Sequence, residues 1–203
     1  MAERHVDDLP PHGRRGFFRA GFARMIGPLA DIVEKRLPIE LPLVRTVLRP
    51  PGALPEKKFL ETCFRCGACA DACPADAISL SGSDDPDTRG TPYVDPDAQA
   101  CVVCDELACM KVCPSGGLRL VGRLDIRMGL ARVDHGLCVR TRGEPCVECV
   151  DRCPLGPTAI RVNEHGRIEV VDPSYSGEGC TGCGVCQQHC PSIPTKAIRI
   201  DPV

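Results

Sequence analysis

Hydrophobic positions along this chain fall into short runs, and the period of the runs changes from one end to the other. In "GRRGFFRAGFARMIGPLADIVEKRL", Phe18, Phe22, Met25, Leu29, Ile32 and Val33 recur at helical spacing. They predict an amphipathic helix over residues 14–37, kinked at Gly27-Pro28. "LPIELPLVRTVLRPPGALP" then reads as an extended, proline-rich linker wrapping to the cysteine-bearing region. Past it the period shortens to two. "AIRVNEHGRIEVVD" sets Ile160 and Val162 against Ile168 and Val170 around Asn163–Gly166, a hairpin signal. "AISL…TPYVDP" predicts a second hairpin with the polar tip "SGSDDPDTRG", and Tyr93 as a packed strand residue. "LRLVGRLDIRMGLARVD" carries the same signal.

Composition says that hydrocarbon alone does not hold these elements together. The 203 residues include no Trp, 3% aromatics, 20 Gly and 20 Pro, which implies many turns and a thin core. The formal net charge of −2 gives no reason to expect nucleic acid as a partner. The chain has 16 Cys. Disulfides would suit a small secreted scaffold. Zinc would suit paired C-x2-C units. Iron–sulfur clusters suit C-x2-C-x2-C-x3-C-P.

Spacing separates the three. Self-comparison finds four copies of one motif. They are Cys63, Cys66, Cys69, Cys73 with Pro74; Cys101, Cys104, Cys109, Cys113 with Pro114; Cys138, Cys146, Cys149, Cys153 with Pro154; and Cys180, Cys183, Cys186, Cys190 with Pro191. Every cysteine is used, and each copy ends in C-x3-C-P. Zinc sites have no reason to repeat that ending. The spacing predicts four 4Fe-4S clusters, with the first three cysteines of a motif on one cluster. Gly67, Gly182 and Gly184 let the backbone curl close and aim N–H groups at sulfur. The fourth cysteine is expected to open a short helix and ligate the partner motif's cluster. Four clusters bound by thiolates would bring the net charge to about −10, which favours a partner with a basic patch.

Two copies are enlarged. "DELA" separates Cys104 from Cys109, and "VRTRGEP" separates Cys138 from Cys146. Asp105 and Glu106 add negative charge to one loop, Arg140 and Arg142 positive charge to the other. The third cluster is therefore expected at higher potential than the second. Because the regular motifs lie at the ends and the enlarged ones between, the expected pairing is nested. Nesting groups Cys63, Cys66, Cys69 with Cys190; Cys73 with Cys180, Cys183, Cys186; Cys101, Cys104, Cys109 with Cys153; and Cys113 with Cys138, Cys146, Cys149. Tandem pairing, first with second and third with fourth, stays open.

The fold class expected is α+β: two two-cluster ferredoxin-like modules, a loop-rich polyferredoxin of short strands and helices, behind a helical arm. Residues 1–58 form the arm and linker, and residues 59–203 the cluster domain. "RRGFF" is similar to a twin-arginine export signal. Arg24, Asp31, Glu34, Lys35 and Arg36 interrupt the apolar run such a signal needs, and no A-x-A site comes after it. The expectation is a retained arm that docks on a partner, a membrane surface or the cluster domain itself, in the cytoplasm, with periplasmic residence as the alternative. No segment is long enough to span a membrane. His189 precedes Cys190, where its protonation could couple to reduction, but a surface position is the commoner case. His135 and His165 sit beside Gly in turns and are expected in solvent, and His5 and His12 belong to the chain's start.

No Gly-rich dinucleotide loop, P-loop or Ser/His/Asp grouping is visible, so the chain is expected not to be an enzyme by itself. The leading function is electron transfer; an iron–sulfur redox sensor or scaffold is the second class. From Phe59 to Val203 the chain resembles the NapG/MauM type of ferredoxin protein, through "CFRCGACADACP", "TPYVDPDAQACVVCDELACMKVCP", "CVRTRGEPCVECVDRCPLG" and "CTGCGVCQQHCP". The order regular, x4-extended, x7-extended, regular is more specific than any one motif. The resemblance implies a four-cluster carrier between a quinol-linked membrane protein and a terminal oxidoreductase.

Overall fold

The computed structural model describes residues 45–203, apart from the side chain of Ser176. The predicted arm helix and the first part of the linker lie outside the described residues. Within them, short elements alternate with long loops. They are α1 (Glu56–Thr62), α2 (Ala68–Asp71), β1 (Ser79–Leu80), β2 (Pro92–Tyr93), α3 (Ala108–Lys111) and β3 (Gly129–Val133), and then α4 (Glu148–Asp151), β4 (Ile160–Val162), β5 (Ile168–Val170), α5 (Pro173–Ser176), α6 (Val185–Gln188) and β6 (Ile198–Pro202).

The same plan occurs twice. In the first half the hairpin β1–β2 lies between two cysteine loops, with Ser79 opposite Tyr93. The ends of that half meet through Ala53 opposite Leu118, while Leu48 pairs with Val94. In the second half the hairpin β4–β5 lies between the other two loops, with Ile160 opposite Val170 and Val162 opposite Ile168. Asn163 makes its turn: the side-chain oxygen accepts from the N–H groups of His165 and Arg167 at 3.1 and 3.0 Å. The ends of that half meet as β3 and β6, antiparallel, from Gly129 opposite Pro202 to Val133 opposite Ile198. Each half carries its own buried cluster: Phe59, Ile78, Val94, Leu118 and Met128 in one, Leu130, Ile160, Ile168 and Ile198 in the other.

Both hairpins follow the alternation in the sequence. "LRLVGRLDIRMGLARVD" does not close on itself. Leu118 bridges to Ala53, residues Arg123–Asp125 form a 3-10 turn, and Gly129–Val133 pairs with the C-terminal strand. Alternation reports a half-buried strand but not its partner. Gly129 is where β3 must lie close to its neighbours, since a Cβ there would stand 2.5 Å from the Asp201 carbonyl oxygen.

Residues 45–58 also pack against the cysteine-bearing region. Arg49 is 1% exposed and forms a bidentate ion pair with Glu56, its Nη2 at 2.5 Å from Oε1. It donates to Thr91 Oγ1 and the Pro92 carbonyl, both at 2.9 Å, and stacks over Phe59 at 5.0 Å. Arg45 donates to the carbonyls of Ala53 and Leu54, and burial pulls its guanidinium below the ordinary value despite the neighbouring Glu56. The second half of the linker is thus a fixed strap, and basic side chains in it satisfy buried acceptors. Arg49→Ala leaves Glu56 buried without its partner and should cost about 3–5 kcal/mol. Adding Glu56→Ala should cost less than the sum of the two single changes. Denaturant midpoints of the anaerobically isolated variants check both.

Candidate iron–sulfur sites

The sixteen thiols line four small, separate pockets. Site 1 is lined by Cys63, Cys66, Cys69 and Cys113, against Phe59 and Leu118. Site 2 is lined by Cys101, Cys104, Cys109 and Cys73, against Ile78, Val103 and Leu107. Site 3 is lined by Cys138, Cys146, Cys149 and Cys190, against Ile168 and Ile198. Site 4 is lined by Cys180, Cys183, Cys186 and Cys153, against Ile160, Val185 and Ile200. Among the described residues no three Cys, His, Asp or Glu side chains converge on a point where one metal ion would sit. The thiols ring a volume.

This grouping corrects the nested expectation. Cys190 lies with Cys138, Cys146 and Cys149, not with the first motif, and Cys73 lies with Cys101, Cys104 and Cys109, not with the fourth. Likewise Cys113 joins the first motif and Cys153 the fourth. The reason is chain length: one short hairpin joins the two loops of each half, so neighbours in sequence face each other. Loop enlargement says nothing about partner choice.

Backbone conformation explains how three cysteines reach one cavity. The residue before the second cysteine is left-handed in three motifs: Arg65 at φ 54°, Val103 at φ 50° and Gly182 at φ 71°. The residue before the one-turn helix is left-handed at Gly67, Leu107 and Gly184, with φ 79°, 48° and 93°. Sequence reading found the glycines. It missed Arg65, Val103 and Leu107, where a side chain tolerates that strain. Aligning the motifs by cysteine would have exposed the equivalence. Contrary to the sequence expectation, the fourth cysteine does not open a helix. α2, α3, α4 and α6 carry the third cysteine, and the fourth comes after their C-terminal end.

The thiols are not built to ionise alone. Burial, reinforced by neighbouring cysteines, pushes Cys69 and Cys109 up to about 11. Burial likewise pushes Cys101, Cys149 and Cys183 up to about 12. Cys113 and Cys190 differ. Burial raises them too, but N–H groups of Leu118 at Cys113 and of Ser192 at Cys190, with further donors, more than offset it. The N–H groups of Ala77 and Leu118 lie 3.3 and 3.4 Å from the sulfurs of Cys73 and Cys113, and that of Arg65 lies 3.4 Å from Cys63. Four thiolates in an apolar cavity need a cationic centre among them, and the N–H groups then stabilise the charge on sulfur. A cationic iron–sulfur core fits that donor set.

Other predicted features divide. Asp105 is paired with Arg123 and Glu106 with Lys111, so the second loop's negative charge is partly compensated. Arg140 donates to the carbonyls of Gly166 at 2.6 Å and Cys146 at 3.3 Å, which fixes it beside site 3, whereas Arg142 is exposed. His189 and His165 are exposed. His135 is not fully in solvent: it is half-buried with its Nδ1 enclosed. Tyr93 packs half-buried in β2. His5 and His12 lie outside the described residues.

Residues 62–117 match the "4Fe-4S dicluster domain" family, a span that holds the first two motifs together. The "Methylamine utilization ferredoxin-type protein MauM" of Methylobacillus flagellatus is 41% identical over 77% of this chain and 69% of its own length. MauM of Methylophilus methylotrophus is 37% identical over 93% of this chain and 84% of its own. The "Ferredoxin-type protein NapG" of Escherichia coli is 36% identical over 96% and 87%. The chain belongs to the NapG/MauM ferredoxin-type family. It is an iron–sulfur ferredoxin-type electron-transfer protein. Among the described residues no helix is long and apolar enough to cross a membrane.

A double substitution separates tandem from nested grouping. Cys73→Ala with Cys104→Ala empties one cavity of two thiols in the tandem arrangement and disturbs two cavities in the nested one. About four irons per chain should be lost, not about eight. Iron determination on the anaerobic variant reads the difference.

Proposed function

We propose that this NapG/MauM-type protein carries four 4Fe-4S clusters in two tandem ferredoxin modules and relays electrons between a quinol-linked donor and a terminal oxidoreductase. The observation that carries the reading is the division of all sixteen cysteines into four sets of four, each around an apolar cavity. When bound, each cluster supplies reversible one-electron exchange. The chain's own residues do the rest. Thiolates hold the iron, N–H groups at Cys63, Cys73 and Cys113 stabilise sulfur charge, and Phe59, Ile78, Ile160 and Ile198 keep water back.

The arm at residues 14–37 is assigned to docking on the partner or a membrane surface from the cytoplasm. Its "RRGFF" stretch supports the competing assignment, export of the folded protein. Arg140 sets site 3 at higher potential than site 2, and the ion pairs of Asp105 and Glu106 narrow the gap between them.

Anaerobic reductive titration tests the function. The chain should take up about four electrons and return them to an oxidant with no loss of iron. Irreversible loss of iron on reoxidation would favour the sensor reading instead. In the same titration Arg140→Ala should move one site to lower potential, because a positive charge near the thiolates is removed, and Arg142→Ala should move it less.

A further inference from the structure

The two halves are not merely adjacent; they touch at iron ligands. The Cys101 N–H donates to the Cys183 carbonyl at 3.1 Å, and the two side chains line sites 2 and 4. Cys183 and Val185, from the fourth motif, are buried in the core cluster of the first half. One glycine permits this approach. A Cβ on Gly184 would fall 2.7 Å from the side chain of Pro96. Gln188, two residues after Cys186 in α6, clamps the same place. Its side chain accepts from the Ala100 N–H at 3.3 Å and donates to the Ala98 carbonyl at 3.2 Å, next to Cys101.

Sites 1 and 3 lie away from this contact. Site 1 reaches site 2 through the exchanged cysteines Cys73 and Cys113, and site 3 reaches site 4 through Cys153 and Cys190. Exposure sets site 1 and site 4 apart, while sites 2 and 3 each have three half-buried cysteines and one buried. At site 1 Cys66 is exposed and the neighbouring Phe64 is 70% exposed. At site 3 Cys138, Cys146 and Cys149 are half-buried, whereas Cys180, Cys183 and Cys186 of site 4 are all buried.

We infer that the four cysteine sets stand in the order 1, 2, 4, 3, that electrons pass between the halves at the Cys101–Cys183 backbone contact, and that sites 1 and 3 are the two ends facing partners. Sequence order and spatial order therefore differ: the last motif is internal and the third is terminal. Each internal transfer oxidises one site by one electron, reduces its neighbour by one, and breaks no bond. The inference rests on the ligand reading proposed above.

Two double variants test it. Cys66→Ala with Cys146→Ala leaves sites 2 and 4 intact; Cys104→Ala with Cys146→Ala leaves sites 1 and 4. Each should retain about eight irons, and a chain that binds no iron overturns the ligand reading instead of the order. In paramagnetic resonance spectra of the dithionite-reduced proteins, the first variant should show signals broadened by mutual spin coupling. The second should show two nearly independent signals. Coupling in the second as strong as in the first overturns the order. Where a variant fails to keep its two sites, iron anomalous scattering from crystals of the unmodified holoprotein reads the same quantity. The nearest pair of iron centres across the halves should be the pair ringed by Cys101 and Cys183; any other pair lying nearer overturns the inference.

Discussion

Everything in this fold depends on the exchange of one cysteine between paired loops. Three thiols of a motif sit on a tight loop and its one-turn helix, and the fourth leaves to complete the neighbour's cavity. The exchange ties the two loops of each half together around the cavities they share. It also explains why so little regular structure suffices. Strands of two to five residues and helices of four to seven would be marginal alone. In the proposed holoprotein, iron–thiolate bonds supply what a thin hydrocarbon core does not.

Local backbone strain is the counterpart of that economy. Val103, a β-branched residue, is held at φ 50° and is almost fully buried beside site 2. Leu107 takes the position that Gly67 and Gly184 occupy in the regular motifs. The enlarged second loop thus keeps the geometry of the regular motifs with worse-suited residues. A cofactor that binds all four thiols offsets conformational strain of order 1–3 kcal/mol per residue. Arg49 and Glu56 perform a related task away from the iron, where one buried ion pair fastens the incoming strand to the first hairpin.

The cysteine spacing made the site chemistry legible because a cubane demands three ligands from one loop, and that demand leaves a local imprint. Both hairpins were legible for the same reason: Ile160, Val162, Ile168 and Val170 alternate next to their own turn. What depends on distant residues was not. The pairing of β3 with β6 joins residues far apart in the chain, and alternation at Leu130 carries no address for Asp201. The grouping of motifs failed on the assumption that similar loops pair, whereas short connections decide it. The role of Arg45 and Arg49 was hidden because basic residues in a proline-rich stretch read as solvated.

The most direct test of the account is native mass spectrometry of the anaerobically isolated chain. It should show one intact species heavier than the polypeptide by four 4Fe-4S clusters, about sixteen irons and sixteen sulfides. A polypeptide carrying zinc, or folded with its thiols free of any metal, would contradict it.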